Sequence, residues 1–403
     1  MKRWPVLVVA GALSLGAAVS LGLARFSYTM LLPPMRADLG WSYLVGGAMN
    51  TFNAIGYLLG VLASLFLLRR HDARAVFLFS MAATGLLLGA HGVVTGEVAL
   101  FALRVLSGVG SALTFVAGGV LVAALLDWGS ADPDAPDPPL PGRGLVLGTY
   151  YGGVGLGIVA SAFLVPAFAD RALPHAWQGA WWALGGIACA SALLALPFVP
   201  AAPPPKPEDA GKPDVDRRLF DQALRSYGFF GLGYIGYMTF IVSVLADQGW
   251  SRGAVTAFYA SLGVAVVASP RLWAGLLQRS RGGEAMGLLN ALLAAAALLP
   301  ILTVHPVAIF ASGLLFGAVF LSVVASTTAF VTHNLPPRWV ANGVVGFTFV
   351  FSVGQIIGPT FTGWFADGFG SVRAGLVFSF LCLVAASLFG YLQKPTDGAK
   401  APG

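Results

Sequence analysis

The stretch that decides the fold is residues 22–42, GLARFSYTMLLPPMRADLGWS, which returns at residues 231–251 as GLGYIGYMTFIVSVLADQGWS. A single offset of 209 residues aligns the glycine, leucine and tyrosine at the start of both copies and the D-x-G-W-S turn at their end. Two matches in one register are not expected by chance. The chain therefore contains an internal repeat of about half its length.

The composition around this repeat is that of a membrane protein. Of 403 residues, 57% are hydrophobic and only 10% are charged, whereas soluble proteins carry about 25% charged residues. The mean hydropathy of +0.80 leaves too little polar surface for a water-facing globule. The 23 Lys and Arg residues form no basic stripe, so nucleic-acid binding is excluded despite the net charge of +6.

Apolar runs between charged or Pro/Gly-rich breaks predict twelve membrane-spanning helices, because each run is long enough to cross a bilayer. A β-barrel would instead show alternating segments of about ten residues. The fold class is therefore all-α and polytopic. The predicted spans, numbered in chain order, are 5–32, 43–68, 74–94, 97–126, 144–169, 176–199, 220–246, 253–278, 284–303, 306–332, 339–366 and 372–392.

The cations predict the orientation. With the N-terminus inside, fifteen Lys and Arg fall in inside segments, against four in outside segments. This positive-inside bias predicts cytoplasmic termini in a multi-pass protein of the bacterial inner membrane. The outside four are Arg36, Arg171, Arg252 and Arg373.

Two polar stretches divide the chain. Residues 127–143 are rich in Pro and Asp and are expected to form a cytoplasmic disordered loop. Residues 200–218 form a Pro-rich cytoplasmic linker. We therefore expect a six-helix bundle at 1–199 and another at 219–403, as two parallel repeats.

Four further motifs carry a resemblance: GAMNTFNAIGYLLG at 47–60, LRVLSGVGSALTFVAGG at 103–119, LGTYYGGVGLGI at 147–158 and GQIIGP at 354–359. With LARFSYTMLLPPMRADLGWS at 23–42 they resemble the major facilitator superfamily over essentially the whole chain, and more narrowly its YbfB/YjiJ-like branch. The resemblance implies a monomeric secondary transporter that moves a small solute by alternating access. The loop after the second span departs from the family pattern, because Ser64 stands where relatives carry a gating acid.

Enzymatic chemistry finds no support in the sequence. All five histidines and all 17 carboxylates fall in loops or at span ends, and no metal-binding or phosphate-cradling motif is present. The two cysteines lie in apolar spans, so we expect neither a disulfide nor a metal site. No cofactor is predicted.

Arg25 and Arg104 are the strongest candidate site residues, because each lies within an apolar span where a cation is costly. Arg25 lies about six residues before the predicted end of the first span, and Arg104 lies seven residues after Glu97, so similar depths are expected. In the resembled fold both spans border the central cavity. The two guanidinium groups are predicted to bind a small organic anion. The alternative is that Arg104 bonds to backbone carbonyls of the first span.

Polar side chains within spans are predicted to shape this pocket, since such residues normally face the protein interior or a water-filled cavity. Interhelical hydrogen bonding without a ligand is the alternative interpretation. The predicted pocket residues besides the two arginines are Tyr28, Asn50, Asn53, Tyr150, Tyr234, Tyr237 and Gln355.

The mirrored turns suggest a gating pair, Asp38 and Asp247. Glycines two residues later suit tight turns, and the serines at 42 and 251 suit helix N-caps. Two caps inherited from duplication are the simpler alternative. Gly358 and Pro359 are predicted to form a hinge or a static kink.

Two alternatives to anion transport stay open. Proton-coupled efflux of lipophilic compounds fits the resemblance but normally needs an intramembrane carboxylate. A transport-inactive receptor or assembly factor is the alternative from another class. The expected partners are a small-molecule substrate, a coupling proton as a further candidate, and the lipid bilayer.

Overall fold

The computed structural model describes residues 4–128, 143–169, 173–202 and 217–396, and these contain twelve helices long and apolar enough to cross a membrane. The predicted number and order of spans are confirmed. Most of the predicted loop at 127–143 and of the predicted linker at 200–218 lies outside the described residues. The helices are α1 Val6–Leu39, α2 Tyr43–Leu67, α3 Ala73–His91, α4 Glu97–Trp128, α5 Arg143–Ala169, α6 Trp177–Ala195, α7 Asp221–Asp247, α8 Arg252–Arg279, α9 Glu284–Leu302, α10 Pro306–Asn334, α11 Pro337–Gly368 and α12 Val372–Leu392.

The first helix is longer than predicted. It was expected to end near residue 32, before two prolines, but α1 continues through Pro33 and Pro34 to Leu39. A proline removes one backbone donor, and membrane helices tolerate this loss when neighbouring groups satisfy the freed carbonyl. Arg25 therefore lies fourteen residues before the end of α1, and the predicted end of the first helix at residue 32 was wrong.

The mirrored turns take the predicted backbone conformation. Gly40 has a φ of 65° and Gly249 a φ of 75°, both in the left-handed region that glycine adopts without strain. Ser42 Oγ accepts from the Val45 N–H and Ser251 Oγ from the Ala254 N–H, each at 3.3 Å. The predicted tight turns and N-caps are therefore confirmed.

Contacts divide the described residues into two compact units. The first holds those of Met1–Gly40, Phe52–Pro205 and Trp250–Arg271, and the second holds those of Trp41–Thr51, Lys206–Gly249 and Leu272–Gly403. The first unit thus includes most of α8, which comes from the second half of the chain. The second unit includes the first turns of α2, which comes from the first half. The division at the linker into bundles of 1–199 and 219–403 stays a prediction.

The first unit is built on close helix pairs, with α3 along α4 and α6, and α1 along α5. Small residues allow the close approach of α1 and α5. A Cβ added at Gly22 would lie 2.5 Å from Cα of Gly157, so the backbones of α1 and α5 nearly touch there.

The second unit is centred on α7, which packs on α11 and α12 and is buried along most of its length. An aromatic stack fills its interior, with Phe230 ring centroids 4.8 Å from Tyr234 and 5.6 Å from Phe351. Burial of these rings supplies much of the packing in this unit.

Candidate functional site

A π-helical segment in α1, Ala18–Phe26, positions the first candidate arginine. Its wider turn is visible where the Ser27 N–H donates to the Gly22 carbonyl, five residues back, at 3.0 Å. Such segments are rare and occur frequently at functional sites. Arg25 lies in the last turn of this segment and is 2% exposed.

Arg104 reaches the same segment from α4. It is fully buried, and its Nη1 donates to the Ala24 carbonyl at 2.9 Å. The Arg25 and Arg104 charges are close enough to act on each other. The structure therefore brings the two predicted arginines together within the first unit, next to the π-helical turn.

Aromatic rings surround both guanidinium groups. Arg104 Cζ lies 4.9 Å from the ring centroid of Tyr28 and 5.9 Å from that of Trp181, while Arg25 Cζ lies 5.5 Å from the ring centroid of Tyr57. A cation over an aromatic face is attracted by the ring quadrupole. These contacts hold the cations in an apolar interior.

Asn53 joins this cluster from α2. Its Nδ2 donates to the Arg104 carbonyl at 3.2 Å, and Ser107 Oγ donates to the same carbonyl at 3.1 Å. Asn53 is fully buried, and its Oδ1 has no hydrogen-bond partner among the described residues. An amide oxygen of this kind can accept a bond from a bound ligand or a water.

The alternative role expected for Arg104, bonding to a carbonyl of the first span, is present in the structure. Two serines strengthen the same α1–α4 contact, since Ser20 Oγ donates to the Ser111 carbonyl and Ser111 Oγ to the Ser20 carbonyl, each at 2.7 Å. Arg104 thus has a structural role, and its role in binding a ligand stays a prediction.

Tyr150 forms a hydrogen bond to the backbone of α4. Its hydroxyl donates to the Phe115 carbonyl at 2.7 Å, and the side chain is fully buried. This bond joins α5 to α4. The predicted pocket role of Tyr150 stays untested.

Four other predicted pocket residues lie in the second unit. Tyr234 Oη donates to Gln355 Oε1 at 3.1 Å, and Asn50 Nδ2 donates to Thr239 Oγ1 at 2.8 Å. Tyr237 Oη lies 2.7 Å from Ser312 Oγ. These hydrogen bonds join helices, as the alternative interpretation expected, and the pocket role of the four residues stays a prediction.

The predicted gating residue Asp38 accepts three hydrogen bonds. Its Oδ2 lies 2.6 Å from His175 Nδ1, 3.2 Å from the His175 backbone nitrogen and 2.6 Å from Trp177 Nε1. The carboxylate therefore ties the end of α1 to the turn that precedes α6.

Asp247 has a different set of contacts, although it occupies the mirrored position. Its Oδ2 accepts from the Tyr43 hydroxyl. Asp367, at the end of α11, accepts from the Tyr43 N–H at 2.9 Å and from the Leu44 N–H at 2.8 Å. Both carboxylates thus hold the first turn of α2 within the second unit.

Gly358 and Pro359 lie inside the continuous helix α11. A Cβ at Gly358 would meet the Leu232 carbonyl of α7, so the glycine permits close packing there. Whether the Gly–Pro pair also acts as a hinge stays a prediction.

Sequence reasoning missed several residues of these clusters: Tyr43, His175, Trp177, Trp181 and Asp367. A partial signal was present, because Trp177 and Trp181 are four residues apart and so share one face of α6. The partners of the others come from distant parts of the chain, which helix periodicity does not predict.

Twelve spanning helices, an internal repeat and buried polar clusters define a multi-pass protein of the transporter class. Residues 17–390 match the family described as uncharacterised MFS-type transporter YbfB, and the chain belongs to that family. No curated protein is significantly similar to it in sequence.

Solved structures show the same fold at low sequence identity. A bacterial homolog of the human lysosomal transporter Spinster, inward-facing and unoccupied, is 16% identical with a TM-score of 0.70, covering 97% of each chain. The nucleoside transporter NupG is also 16% identical, with a TM-score of 0.68, covering 96% of this chain and 98% of its own. Similarity at this level establishes the major facilitator fold, not the substrate.

Proposed function

We propose that this chain is a secondary active transporter that moves a small organic carboxylate by alternating access. Membership of a transporter family supports the transport activity. The observation that carries the substrate class is the pair of buried arginines, Arg25 and Arg104, on adjoining helices of the first unit.

Charge supports an anionic substrate. A mid-membrane arginine costs at least about 2.5–3.5 kcal/mol, so such residues usually have a function. The acidic residues of the described helices lie at helix ends, at Asp38, Glu97, Asp127, Asp221, Asp247, Glu284 and Asp367. The interior around the arginines is therefore positively charged, and an anion would be attracted there.

The chemistry of arginine narrows the class to carboxylates. A planar guanidinium matches a carboxylate with two parallel hydrogen bonds, which a lysine cannot reproduce. Asn53 Oδ1 adds an acceptor for a ligand hydroxyl or for water. The rings of Tyr28, Tyr57 and Trp181 favour a substrate with an apolar or aromatic part.

The proposal also covers the membrane in which the protein lies and its orientation there. The charge bias of its loops supports a bacterial inner-membrane location with both termini cytoplasmic. Two repeats in one chain support a monomer. A proton is the coupling ion included in this proposal.

The test is ligand-induced thermal stabilisation of the purified protein, because a compound that binds only the folded state raises its melting temperature. The compounds are benzoate and succinate, with benzylammonium as a cation matched to benzoate in size and uridine as a neutral control. We expect stabilisation by at least one carboxylate and by neither control.

Two variants locate the binding site. Arg104→Lys and Arg25→Lys should each weaken carboxylate binding about tenfold, equivalent to about 1.4 kcal/mol. The matched control is Arg69→Lys in an exposed loop, which should bind as the wild type does. Stabilisation by benzylammonium alone, or normal binding by both arginine variants, would contradict the proposal. Uptake of the bound carboxylate into proteoliposomes then tests transport itself.

A further inference from the structure

His91 is a buried titratable group that the proposed carboxylate site does not use. It is the last residue of α3 and has no exposed surface. Its ring stacks on that of Trp181 in α6, with centroids 4.4 Å apart and an interplanar angle of 22°. Trp181 is also the ring that the Arg104 guanidinium approaches. One indole therefore contacts both the histidine and the candidate anion site.

The hydrogen bonds of His91 define which ring nitrogen can take a proton. Nδ1 lies 2.8 Å from the Leu87 carbonyl, and a carbonyl only accepts, so the proton of the neutral ring is on Nδ1. Nε2 then presents a lone pair, and it has no hydrogen-bond partner among the described residues. The neighbouring Trp181 Nε1, a donor, has none there either. A buried acceptor and a buried donor next to each other mark a place where a proton or a water can bind.

The charges that face His91 come from the helices packed on α3. From α4, the Arg104 guanidinium lies 5.9 Å from the centroid of the Trp181 ring on which His91 stacks, and Glu97 lies exposed at the helix start. From α6, Trp181 is in contact. The titratable Cys189 of α6 lies further along α3, with its Sγ 3.8 Å from the Ala82 carbonyl.

Among the described residues, α3 also contacts the segment 196–202, where the Leu196 carbonyl accepts from Arg74, and α1, including its π-helical segment. The charged residue of the π-helical segment is Arg25, whose charge acts on Arg104. Arg74, the other cation of α3, lies at the opposite end of that helix. Arg104 is thus the cation that shares the Trp181 ring with His91, while burial of the imidazole itself also disfavours its charged form.

We propose that Nε2 of His91 is the proton-binding site of this transporter, and that its protonation is coupled to carboxylate binding at Arg104. When the anion is absent, the Arg104 charge repels a second positive charge on the ring. A bound carboxylate neutralises that repulsion, so a hydronium ion of the bulk solvent gives its proton to Nε2, which forms the imidazolium. One O–H bond of the hydronium ion breaks, one N–H bond forms, and water is released. Coupling between two sites is reciprocal, so protonation of His91 strengthens carboxylate binding by the same factor.

Trp181 acts as a positioning residue in this arrangement. Its aromatic ring attracts both the imidazolium of His91, which stacks on it, and the guanidinium of Arg104. These two contacts hold both cations at fixed distances from the indole. Replacement by leucine should therefore reduce the coupling while leaving both titrating groups present.

The proposal rests on the proposed carboxylate transport, and the experiment separates the two. Binding of benzoate and of succinate is measured calorimetrically at one pH in two buffers of different ionisation enthalpy, which counts the protons taken up. The wild type should take up protons on binding, and the affinity should rise on acidification by up to about tenfold per pH unit, the limit for one linked proton.

Variants of His91 test whether this residue binds the proton. His91→Gln keeps a donor for the Leu87 carbonyl, and His91→Phe keeps the stack on Trp181, so at least one is expected to fold. Each should bind carboxylate without proton uptake and with little pH dependence. The matched control is His333→Gln. In the wild type, His333 Nδ1 also lies near a carbonyl, that of Ser280 at 2.9 Å, but His333 is exposed. This control should behave as the wild type does.

Each result has one meaning. Carboxylate binding with no proton uptake in the wild type, or with unchanged uptake in the His91 variants, overturns the proton site and leaves carboxylate binding intact. Absence of carboxylate binding in wild type, His91 and His333 proteins alike overturns the proposed function, and the proton site with it.

Discussion

Asp38 Oδ2 lies 2.6 Å from His175 Nδ1, which joins the last turn of α1 to the segment before α6. His175 adopts a φ of 57°, the left-handed region that non-glycine residues rarely occupy. The backbone and the ring of His175 both donate to the same carboxylate oxygen. This carboxylate therefore stabilises an unfavourable backbone conformation as well as a helix contact.

We expect Asp38→Asn to lower the free energy of unfolding by about 1.5 kcal/mol, the lower end for hydrogen bonds to a charged group, because the pair is partly exposed. Thermal unfolding followed by tryptophan fluorescence in detergent measures the change. The control is Asp221→Asn, which breaks an exposed pair with Arg225 and should have little effect. Equal melting temperatures for the two variants would contradict this role for Asp38.

The contact of Asp367 with the start of α2 predicts an order of stability for two variants. Asp367 accepts from two N–H groups of the first turn of α2, so Asp367→Ala should cost about 1 kcal/mol, as the loss of other N-caps does. Asp367→Asn keeps a good capping group and should cost less. The same unfolding measurement ranks the three proteins, and an alanine variant as stable as the wild type would exclude the cap as a stabilising contact.

The α1–α5 contact predicts that alanine substitutions at two glycines of α1 have different effects on stability. Gly22→Ala would place a Cβ against Gly157 and should destabilise the protein by about 2 kcal/mol through overpacking. Gly11→Ala meets no atom within 4 Å and should leave stability unchanged or slightly higher. Melting temperatures of the two variants decide the matter, and similar values would mean that α1 shifts to accept the methyl group.

Cysteine labelling tests the orientation. In a background with both native cysteines replaced by alanine, Gly96→Cys should react with a membrane-impermeant maleimide in intact cells. His71→Cys should react only after the cells are opened, because its loop is predicted to be cytoplasmic. Both positions lie in loops of the structure and are accessible. Labelling of both from the same side would contradict the twelve-helix topology.

The local parts of the fold were predictable from sequence because they depend on local physics. Apolar length predicted the twelve spans, and glycine two residues after Asp38 and Asp247 predicted the left-handed turns. The end of α1 was missed because proline is a stronger helix breaker in water than in a membrane bundle.

The candidate site was only partly predictable. Burial cost singled out Arg25 and Arg104, and the structure brings them together. The aromatic partners, the cap by Asp367 and the stack of His91 on Trp181 join residues far apart in sequence. Such pairings depend on how helices are rotated against one another, and a periodic pattern does not determine that rotation.

The π-helical segment makes the two halves of this duplicated protein unequal. Its counterpart in the second half falls within α7, which is α-helical from Asp221 to Asp247. Because a π-helical turn holds more residues than an α-helical turn, the side chains before and after residues 18–26 are rotated relative to one another by a different amount than their counterparts in α7. The copy of the repeat with this change of helical pitch is also the one that carries the buried cations Arg25 and Arg104.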